Sequence, residues 1–221
     1  MTSITEENHL KAIYSLSENC TKKVTTNDLA DKIGSKPSSI TDMVKKLSKK
    51  GLVTYKKYKG VELTDEGKST SLRIIRKHRL WELFLVKHLK FGWDEVHDMA
   101  EQLEHIDSDI LVDRLDAFME YPTHCPHGDP IPDANGQLRL NDHILLSQLK
   151  IGNMGLIACV NDDSSAFLQY LNKMNIELNS EIRIQEILEY DNSMQVKVNN
   201  SMDLITLSEK ATNGIFIKLI S

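Results

Sequence analysis

Cysteine and long apolar runs are scarce in this sequence of 221 residues. The three cysteines, Cys20, Cys125 and Cys159, lie far apart, which argues against a disulfide framework and favours a reducing compartment such as the cytoplasm. No stretch approaches the 18 uninterrupted apolar residues of a membrane-spanning helix, and residues 1–16 lack the apolar core of a signal peptide. Glycine-rich phosphate-binding loops and zinc-protease or esterase motifs are also absent. We therefore expect a cytoplasmic protein.

The formal net charge of −5 hides an uneven distribution. Residues 1–60 contain 12 lysines and 6 acidic residues and carry a net charge of +6. Residues 94–133 contain 12 acidic residues and one basic residue, Arg114, and carry −11. A basic segment is typical of a module that binds nucleic acid, and crowded carboxylates favour a bound cation.

The basic segment has the pattern of a helix-turn-helix followed by a hairpin. Apolar spacing predicts helices over Thr5–Ser17, Thr26–Ile33 and Ile40–Leu47. The stretch Leu52–Thr64 contains two short alternating runs around a basic turn, which predicts a β-hairpin wing. This order is typical of a winged-helix DNA-binding domain, which we place at residues 1–64.

The third helix and the wing carry the candidate DNA contacts. Small polar residues at the helix start can approach base edges, and lysines can neutralise phosphates. We predict base contacts from Ser38, Ser39, Thr41 and Asp42, and phosphate contacts from Lys36, Lys45, Lys46, Lys56 and Lys57. The alternative is a solvated lysine-rich surface.

Two further helices are predicted after the wing, one from Thr64 to about Leu89 and another that starts near Trp93 or Asp94. Imidazole and carboxylate groups recur on them at helical spacing: His78 and Glu82 on the earlier helix, and His97, Glu101, Glu104 and His105 on the later one. These groups suit divalent ions such as Mn²⁺ and Fe²⁺. The alternative is a solvated helical face.

Apolar side chains interleave with these candidate ligands. Most are expected to form a core, and some are candidates for a homodimer face, which a two-fold symmetric DNA site requires. They are Val96, Ala100, Leu103, Ile106, Ile110, Leu111, Leu115 and Phe118.

Five segments match one family in order and spacing over about residues 5–135. They are Glu7–Tyr14, Pro37–Val44, Arg76–Glu82, Val96–His105 and Cys125–Pro132. The His-x-x-x-Glu and Glu-x-x-Glu-His elements within them are the most specific. On these residues the sequence resembles the diphtheria toxin repressor family, which comprises iron- and manganese-dependent transcriptional repressors.

The sequence of the C-terminal third predicts short strands and one helix. Alternating apolar residues predict strands at Gly155–Val160, Glu181–Ile187, Gln195–Val198 and Ile215–Leu219, with a helix over Ser165–Met174. With the resemblance, this implies a mainly α fold with a small β part. Its parts would be the winged helix-turn-helix domain, a helical metal-binding and dimerisation domain (65–135), a linker (136–149) and an SH3-like, FeoA-like barrel (150–221).

The resemblance also implies two metal positions. One would be formed by His78, Glu82 and His97, and the other by Asn8, Glu101, Glu104 and His105. In some relatives the C-terminal domain lends a ligand to the first position, and the candidates here are Asp162 and Asp163.

The resemblance favours manganese over iron. Iron-type members have a soft ligand where this chain has Glu101. Two departures leave Fe²⁺ as the alternative: Asn8 stands where manganese-type relatives often place an Asp, and Lys11 stands where some have a Glu ligand.

His124, Cys125 and His127 offer a further candidate cluster. They lie in a stretch with three prolines and a glycine, a composition typical of a rigid turn. We favour a structural turn over an additional metal site.

These observations favour a cytoplasmic homodimeric repressor, not an enzyme. Its corepressor would be Mn²⁺ or Fe²⁺, its partner double-stranded operator DNA, and its targets genes of metal uptake and homeostasis. Two alternatives stay open at this point. One is a metal-independent winged-helix regulator that senses a small molecule, and the other is a metallo-hydrolase in which a Glu activates metal-bound water.

Replacing Lys46 with alanine is expected to weaken binding to all DNA sequences alike, because phosphate contacts carry no sequence information. The slope of log affinity against log salt concentration should become shallower by about one unit. Affinities measured over a salt series check this. A slope equal to that of the wild type would remove Lys46 from the phosphate contacts.

Overall fold

The computed structural model describes residues 2–19, 23–56, 59–138, 143–162, 164–199 and 201–220. These residues form two compact units. The first unit consists of Met1–His78, Glu104–Ser108 and Pro132–Gln137, and the second consists of Arg79–Leu103, Asp109–Ile131 and Leu138–Ser221.

The N-terminal part of the first unit is a winged helix-turn-helix, as the sequence predicts. Three helices and an antiparallel hairpin follow one another: α1 (Ile4–Asn19), α2 (Thr26–Ile33), α3 (Pro37–Lys49), β1 (Val53–Lys56) and β2 (Gly60–Leu63). Thr25 and Asp28 form a capping box that starts α2. Gly34 ends α2 with a φ of 69°, a left-handed conformation that glycine adopts without steric cost.

The predicted apolar stripe of α3 lies in the core of this domain. Ile40, Val44 and Leu47 are fully buried and belong to the same cluster as Leu10 and Ile13 of α1. Burial of each such side chain contributes about 1.5–3 kcal/mol. Because the apolar face of α3 is fixed inwards, the polar residues at its start are left at the surface.

Three helices follow the wing: α4 (Asp65–Lys87), α5 (His97–Leu103) and α6 (Asp109–Phe118). The prediction that one helix carries every ligand from His97 to His105 is wrong, because α5 ends at Leu103 and the last two ligands lie in the turn that follows. Asp107 and Ser108, residue types that favour a helix start, precede α6, so the chain leaves α5 before them.

The second unit contains the end of α4, together with α5 and α6. Leu80 of α4 packs with Val112, Leu115 and Met119 around α6, and buried Cys125 completes this cluster. The face of α4 that holds Leu80 is therefore fixed by apolar contacts within the second unit.

The C-terminal part of the second unit is a six-stranded antiparallel sheet. The strands are β3 (Ile144–Leu145), β4 (Met154–Val160), β5 (Glu181–Ile187), β6 (Met194–Val198), β7 (Ile205–Leu207) and β8 (Ile215–Leu219), with helices α7 (Ser165–Lys173) and α8 (Glu209–Thr212) between them. Their order in the sheet is β3-β8-β4-β5-β6-β7. The four predicted strands and the predicted helix are confirmed.

The sheet begins inside the stretch 136–149 that we expected to be a linker. Ile144 and Leu145 pair with Ile217 and Phe216 of β8, and Leu146 is fully buried. Such a short strand has no periodicity of its own, so it becomes visible only through its pairing.

No helix in the described ranges is long and apolar enough to cross a membrane.

Substituting Leu168 of α7 with alanine should destabilise the second unit by about 2–5 kcal/mol, because its side chain is fully buried in the core under the sheet and its loss leaves a cavity. The control is exposed Gln169→Ala on the same helix, expected within about 0.5 kcal/mol of the wild type. Urea unfolding measures both. Equal effects of the two substitutions would contradict this packing.

Candidate metal centre

The carboxylate of Glu104 is the centre of a polar cluster in the first unit. Its side chain is completely buried. Lys11 of α1 donates hydrogen bonds to both of its oxygens, at 2.7 and 2.8 Å. Nδ1 of His78 on α4 lies 2.5 Å from Oε2. Glu104 therefore has two cationic or proton-donating partners.

These partners keep Glu104 ionised. Burial alone raises the pKa of its carboxyl, but the hydrogen bond from His78 and the charge of Lys11 outweigh burial and hold the pKa below its ordinary value. A buried carboxylate of this kind suits a divalent cation, because oxygen donors with full negative charge bind hard metal ions.

His105 lies beside this carboxylate in a defined orientation. Its Nδ1 is 2.7 Å from Oε2 of Glu7 on α1, and its Nε2 is 3.7 Å from Oε1 of Glu104. A neutral imidazole that donates from Nδ1 keeps the lone pair of Nε2 for a metal. Glu7 therefore holds His105 in the tautomer that a ligand needs.

Asn8 offers a buried oxygen that suits a cation in the first unit. Its Oδ1 is buried and has no hydrogen-bond partner among the described residues. An unsatisfied buried acceptor costs about 1–3 kcal/mol, which a bound cation would offset. Asn8 follows Glu7 and precedes Lys11 by one helical turn, so it shares the side of α1 that meets Glu104 and His105. The residues of this cluster fit a divalent metal.

The second unit holds the other predicted ligands. Glu82 of α4 is almost fully buried, and its Oε1 lies 3.8 Å from Nδ1 of His97. Nε2 of His97 lies 3.8 Å from Oε1 of Glu101, one turn further along α5. The structure therefore brings together these three predicted ligands within the second unit.

Glu82 also belongs to a second group of metal-binding type that sequence reasoning did not assemble. One ligand atom each from Glu82, Cys125 and His127 lies within 4.8 Å of the others, and all three residues are buried. Nδ1 of His127 is 3.4 Å from Oε1 of Glu82, and its Nε2 is 2.8 Å from the carbonyl oxygen of Trp93. Because a carbonyl only accepts, Nε2 carries a proton, and Nδ1 faces the cluster.

A tight turn presents Cys125 and His127, as the prolines and the glycine predict. Gly128 has a φ of 85°, and a Cβ there would lie 2.1 Å from the carbonyl oxygen of Ala158, so only glycine fits. The sequence signal for the cluster is the Cys-Pro-His spacing, but its partner Glu82 is far away in the chain.

The ionisable groups of this cluster hold protons when no metal is bound. Burial raises the pKa of the Cys125 thiol to about 11, and the charge of Glu82 adds to this. Burial alone would lower the pKa of His127, but hydrogen bonds with Cys125 and Glu82 raise it to about 11. Thiolate and imidazole ligation would therefore release protons.

Two predicted residues, Lys57 and Asp163, lie outside the described residues. Asp162 accepts a hydrogen bond from the backbone N–H of Ser164, which caps α7. His124 lies in the same turn as Cys125, where its Nδ1 is 2.9 Å from Oγ1 of Thr123.

The predicted DNA contacts lie on one surface of the winged helix. Thr41 is half-buried, and its hydroxyl donates to the carbonyl of Pro37 at 2.8 Å. A cleft of about 440 Å³ adjoins it, lined by residues of α2, α3 and the wing that include Tyr55 and Lys59. The exposed members of the predicted set are Lys36, Ser38, Ser39, Asp42, Lys45, Lys46 and Lys56.

Glu6 links α1 to the end of α3. Its side chain is 1% exposed, and Lys50 and Lys46 lie 2.8 and 3.2 Å from its two oxygens. Burial raises the pKa of Glu6, but the hydrogen bonds from Lys50, Ser3 and Lys46 lower it to about 2. The helix that meets Glu104 is thus also ion-paired to the predicted recognition helix.

Comparison with known proteins places this arrangement in a family. The model of the iron-dependent repressor N-terminal DNA-binding domain matches residues 1–61, that of the iron-dependent repressor metal-binding and dimerisation domain matches 64–133, and that of the FeoA domain matches 144–219.

An uncharacterised HTH-type transcriptional regulator of Methanocaldococcus jannaschii is 36% identical over 114 residues, which are 52% of this chain and 91% of that protein. The chain belongs to the iron-dependent repressor family. The iron-dependent repressor IdeR of Mycobacterium tuberculosis is 31% identical over 128 residues, 58% of this chain and 55% of IdeR. A solved manganese-dependent transcriptional repressor in complex with manganese is 35% identical, with a TM-score of 0.90 over 97% of this chain and 100% of that one.

Membership of the iron-dependent repressor family confirms the resemblance, the fold and the functional class. The chain is a metal-dependent DNA-binding repressor with a dimerisation domain, and it is not an enzyme. The metallo-hydrolase and the metal-independent sensor are therefore not supported.

Glu6 generates a pH prediction. Because its pKa is about 2 in the folded chain and ordinarily 4.5, its ion pairs contribute stability that is present above pH 4.5 and is lost as the pH falls towards 2. Glu6→Gln should lower the melting temperature at pH 7 and flatten its decline between about pH 5 and 2. Thermal melts over this range measure the effect, with exposed Glu66→Gln as the control. A decline as steep in Glu6→Gln as in the wild type would refute it.

Proposed function

We propose that the chain is a homodimeric repressor that binds operator DNA when Mn²⁺ is bound, with Fe²⁺ as the alternative corepressor. Its targets would be genes of metal uptake and homeostasis, and it would act in the cytoplasm, where that DNA lies. One observation carries the proposal. A single helix, α1, meets the buried Glu104 cluster through Lys11 and holds the predicted recognition helix through Glu6.

The metal positions follow the ligand sets that the family resemblance implies. We assign Asn8, Glu101, Glu104 and His105 to one position, and His78, Glu82 and His97 to the other, with Asp163 as a further candidate. The first metal position is supported by the buried Oδ1 of Asn8, which has no hydrogen-bond partner among the described residues, and by the orientation of His105. Cys125 and His127 are additional candidates around Glu82, since they lie close to it.

A bound divalent cation would supply positive charge that compensates clustered carboxylates. The chain's own groups do the rest. Glu7 orients His105, Glu104 stays ionised because its pKa is lowered, and Asn8 offers a neutral oxygen. Ligands drawn from α1 and from the segment after α5 would restrain α1. Because Glu6 ties α1 to α3, a restrained α1 also restrains the recognition helix.

DNA recognition would follow from the surface of α3 and the wing. Ser38 and Ser39, with Thr41 and Asp42, are small enough to approach base edges in a major groove. The phosphate contacts would come from Lys36, Lys45, Lys46, Lys56 and Lys57. The salt bridge of Lys45 with Asp42, at 3.5 Å, is exposed, so it leaves Lys45 available to phosphate at little cost.

Homodimerisation is supported by apolar side chains around α6 that remain at the surface of the second unit. Ile110, Phe118 and Tyr121 are 70%, 60% and 70% exposed. Clustered apolar exposure of this kind marks interaction surfaces. A two-fold dimer would present two recognition helices to two half-sites about one DNA turn apart.

The choice of Mn²⁺ rests on Glu101 and on the likeness to the solved manganese-dependent repressor. Carboxylate donors favour harder ions, whereas a thiolate at that position would favour softer ones. Asn8, which offers a neutral oxygen, and Lys11, which stands where some manganese-type relatives have a Glu ligand, keep Fe²⁺ as the alternative.

The experiment is a DNA-retardation titration with duplexes selected from a random pool in the presence of Mn²⁺. Wild-type protein should bind with Mn²⁺ or Fe²⁺ and release DNA on adding chelator. Glu101→Ala should lose metal-dependent binding, because it removes a carboxylate ligand, whereas exposed Glu189→Ala should behave as wild type. DNA binding unchanged by chelator would refute the metal switch. Equal activation by Mn²⁺, Fe²⁺ and Zn²⁺ would refute the manganese preference alone.

A further inference from the structure

Lys11 binds the carboxylate of Glu104, which the proposed function assigns as a metal ligand. Its ammonium nitrogen lies 2.7 Å from Oε1 and 2.8 Å from Oε2 of Glu104. The side chain of Glu104 is 0% exposed, so bulk water does not reach its charge. Lys11 itself is 20% exposed, so its long side chain has a route from the cluster to solvent.

We propose that Lys11 is an internal cation that neutralises Glu104 in the metal-free protein and opposes the binding of a divalent cation there, so that it sets the metal affinity of the site. The proposal rests on the proposed role of Glu104 as a metal ligand. Lys11 is thus an affinity-determining residue, and its charge, not its bulk, carries the effect.

The charges explain why the two cations compete. A carboxylate has room for several donors, but an ammonium that bonds both oxygens places a full positive charge where the metal charge would lie. Nδ1 of His78 forms a further hydrogen bond with Oε2 of Glu104. Lys11 and His78 leave only about one of the roughly four lone-pair directions of the carboxylate open. A divalent cation that reaches Glu104 would therefore lie close to the charge of Lys11, and the repulsion is strong because the site is buried.

The same pair explains how the protein stays folded when no metal is bound. A buried carboxylate without a partner is strongly destabilising. In the first unit Lys11 provides the compensating charge when metal is scarce, and a chain without this charge would depend on metal to stay stable. Lys11 therefore lowers the metal affinity of the site and raises the stability of the metal-free protein.

The test compares Lys11→Met, which keeps the length of the side chain and removes its charge, with Lys23→Met. Lys23 is a matched control, because it forms an exposed ion pair of 2.8 Å with Glu62 elsewhere in the first unit. Calorimetric titration with Mn²⁺ gives the affinity of each site, and thermal melts in chelator give the stability of the metal-free form. Glu104→Gln identifies the site that contains Glu104.

Lys11→Met is expected to bind Mn²⁺ at the Glu104 site roughly tenfold more tightly, the size of one lost charged hydrogen bond. It should also melt at a lower temperature than the wild type in chelator, and Lys23→Met should change neither value. Unchanged or weaker Mn²⁺ binding by Lys11→Met at that site would overturn the proposal. If Glu104→Gln binds Mn²⁺ exactly like the wild type at every site, the proposed function fails instead.

A measurement on the wild type covers the case in which Lys11→Met does not fold. Acetylation of lysine amines, read by mass spectrometry, should modify Lys11 faster in saturating Mn²⁺ than in chelator, because the amine has left Glu104. The rate at Lys23 should stay constant. An equal or slower rate at Lys11 in Mn²⁺ would overturn the proposal.

Discussion

The buried carboxylate of Glu104 is the constraint on which the rest of the first unit depends. An anion removed from water must be matched by positive charge or by hydrogen-bond donors, and here Lys11 and His78 provide them. These partners come from α1 and α4, so the electrostatic demand of one side chain brings the N-terminal helix and the central helix together. Asn8 and Glu7 reach the same cluster because they lie on the same helix as Lys11, and buried Leu10 and Ile13 hold that helix in the core.

The magnitudes indicate which contacts can transmit a signal. Exposed pairs such as that of Lys45 with Asp42 are worth about 0–1 kcal/mol and are weakened by salt. Removing one partner from a buried pair costs about 3–5 kcal/mol. A useful coupling between metal and DNA needs only about 1–3 kcal/mol. The interaction of buried Glu104 with Lys11 falls in the range of buried pairs, and that of buried Glu6 with the half-exposed Lys46 and Lys50 lies between the ranges of exposed and buried pairs. The contacts that α1 makes at its two ends are therefore strong enough for such a coupling, whereas the exposed pair of Lys45 with Asp42 is not.

Sequence reasoning recovered the features that repeat along the chain and missed those that depend on distant partners. The stripe on α3 and the ligand types of α5 are periodic, so spacing revealed them. The end of α5 at Leu103 and strand β3 were not predictable, because neither has a periodic signal. The approach of Cys125 to Glu82 and of Lys11 to Glu104 joins residues far apart in sequence. Lys11 departs from the family pattern, but only the fold shows that its ammonium group binds both oxygens of Glu104.

The coupling of metal and DNA binding through α1 that we propose is tested most directly by thermodynamic reciprocity. The affinity of the full chain for Mn²⁺ should be measured calorimetrically without DNA and with a saturating selected duplex. The duplex should tighten Mn²⁺ binding by about 5–150-fold, the factor by which Mn²⁺ tightens DNA binding. An Mn²⁺ affinity that is the same with and without the duplex would contradict the account.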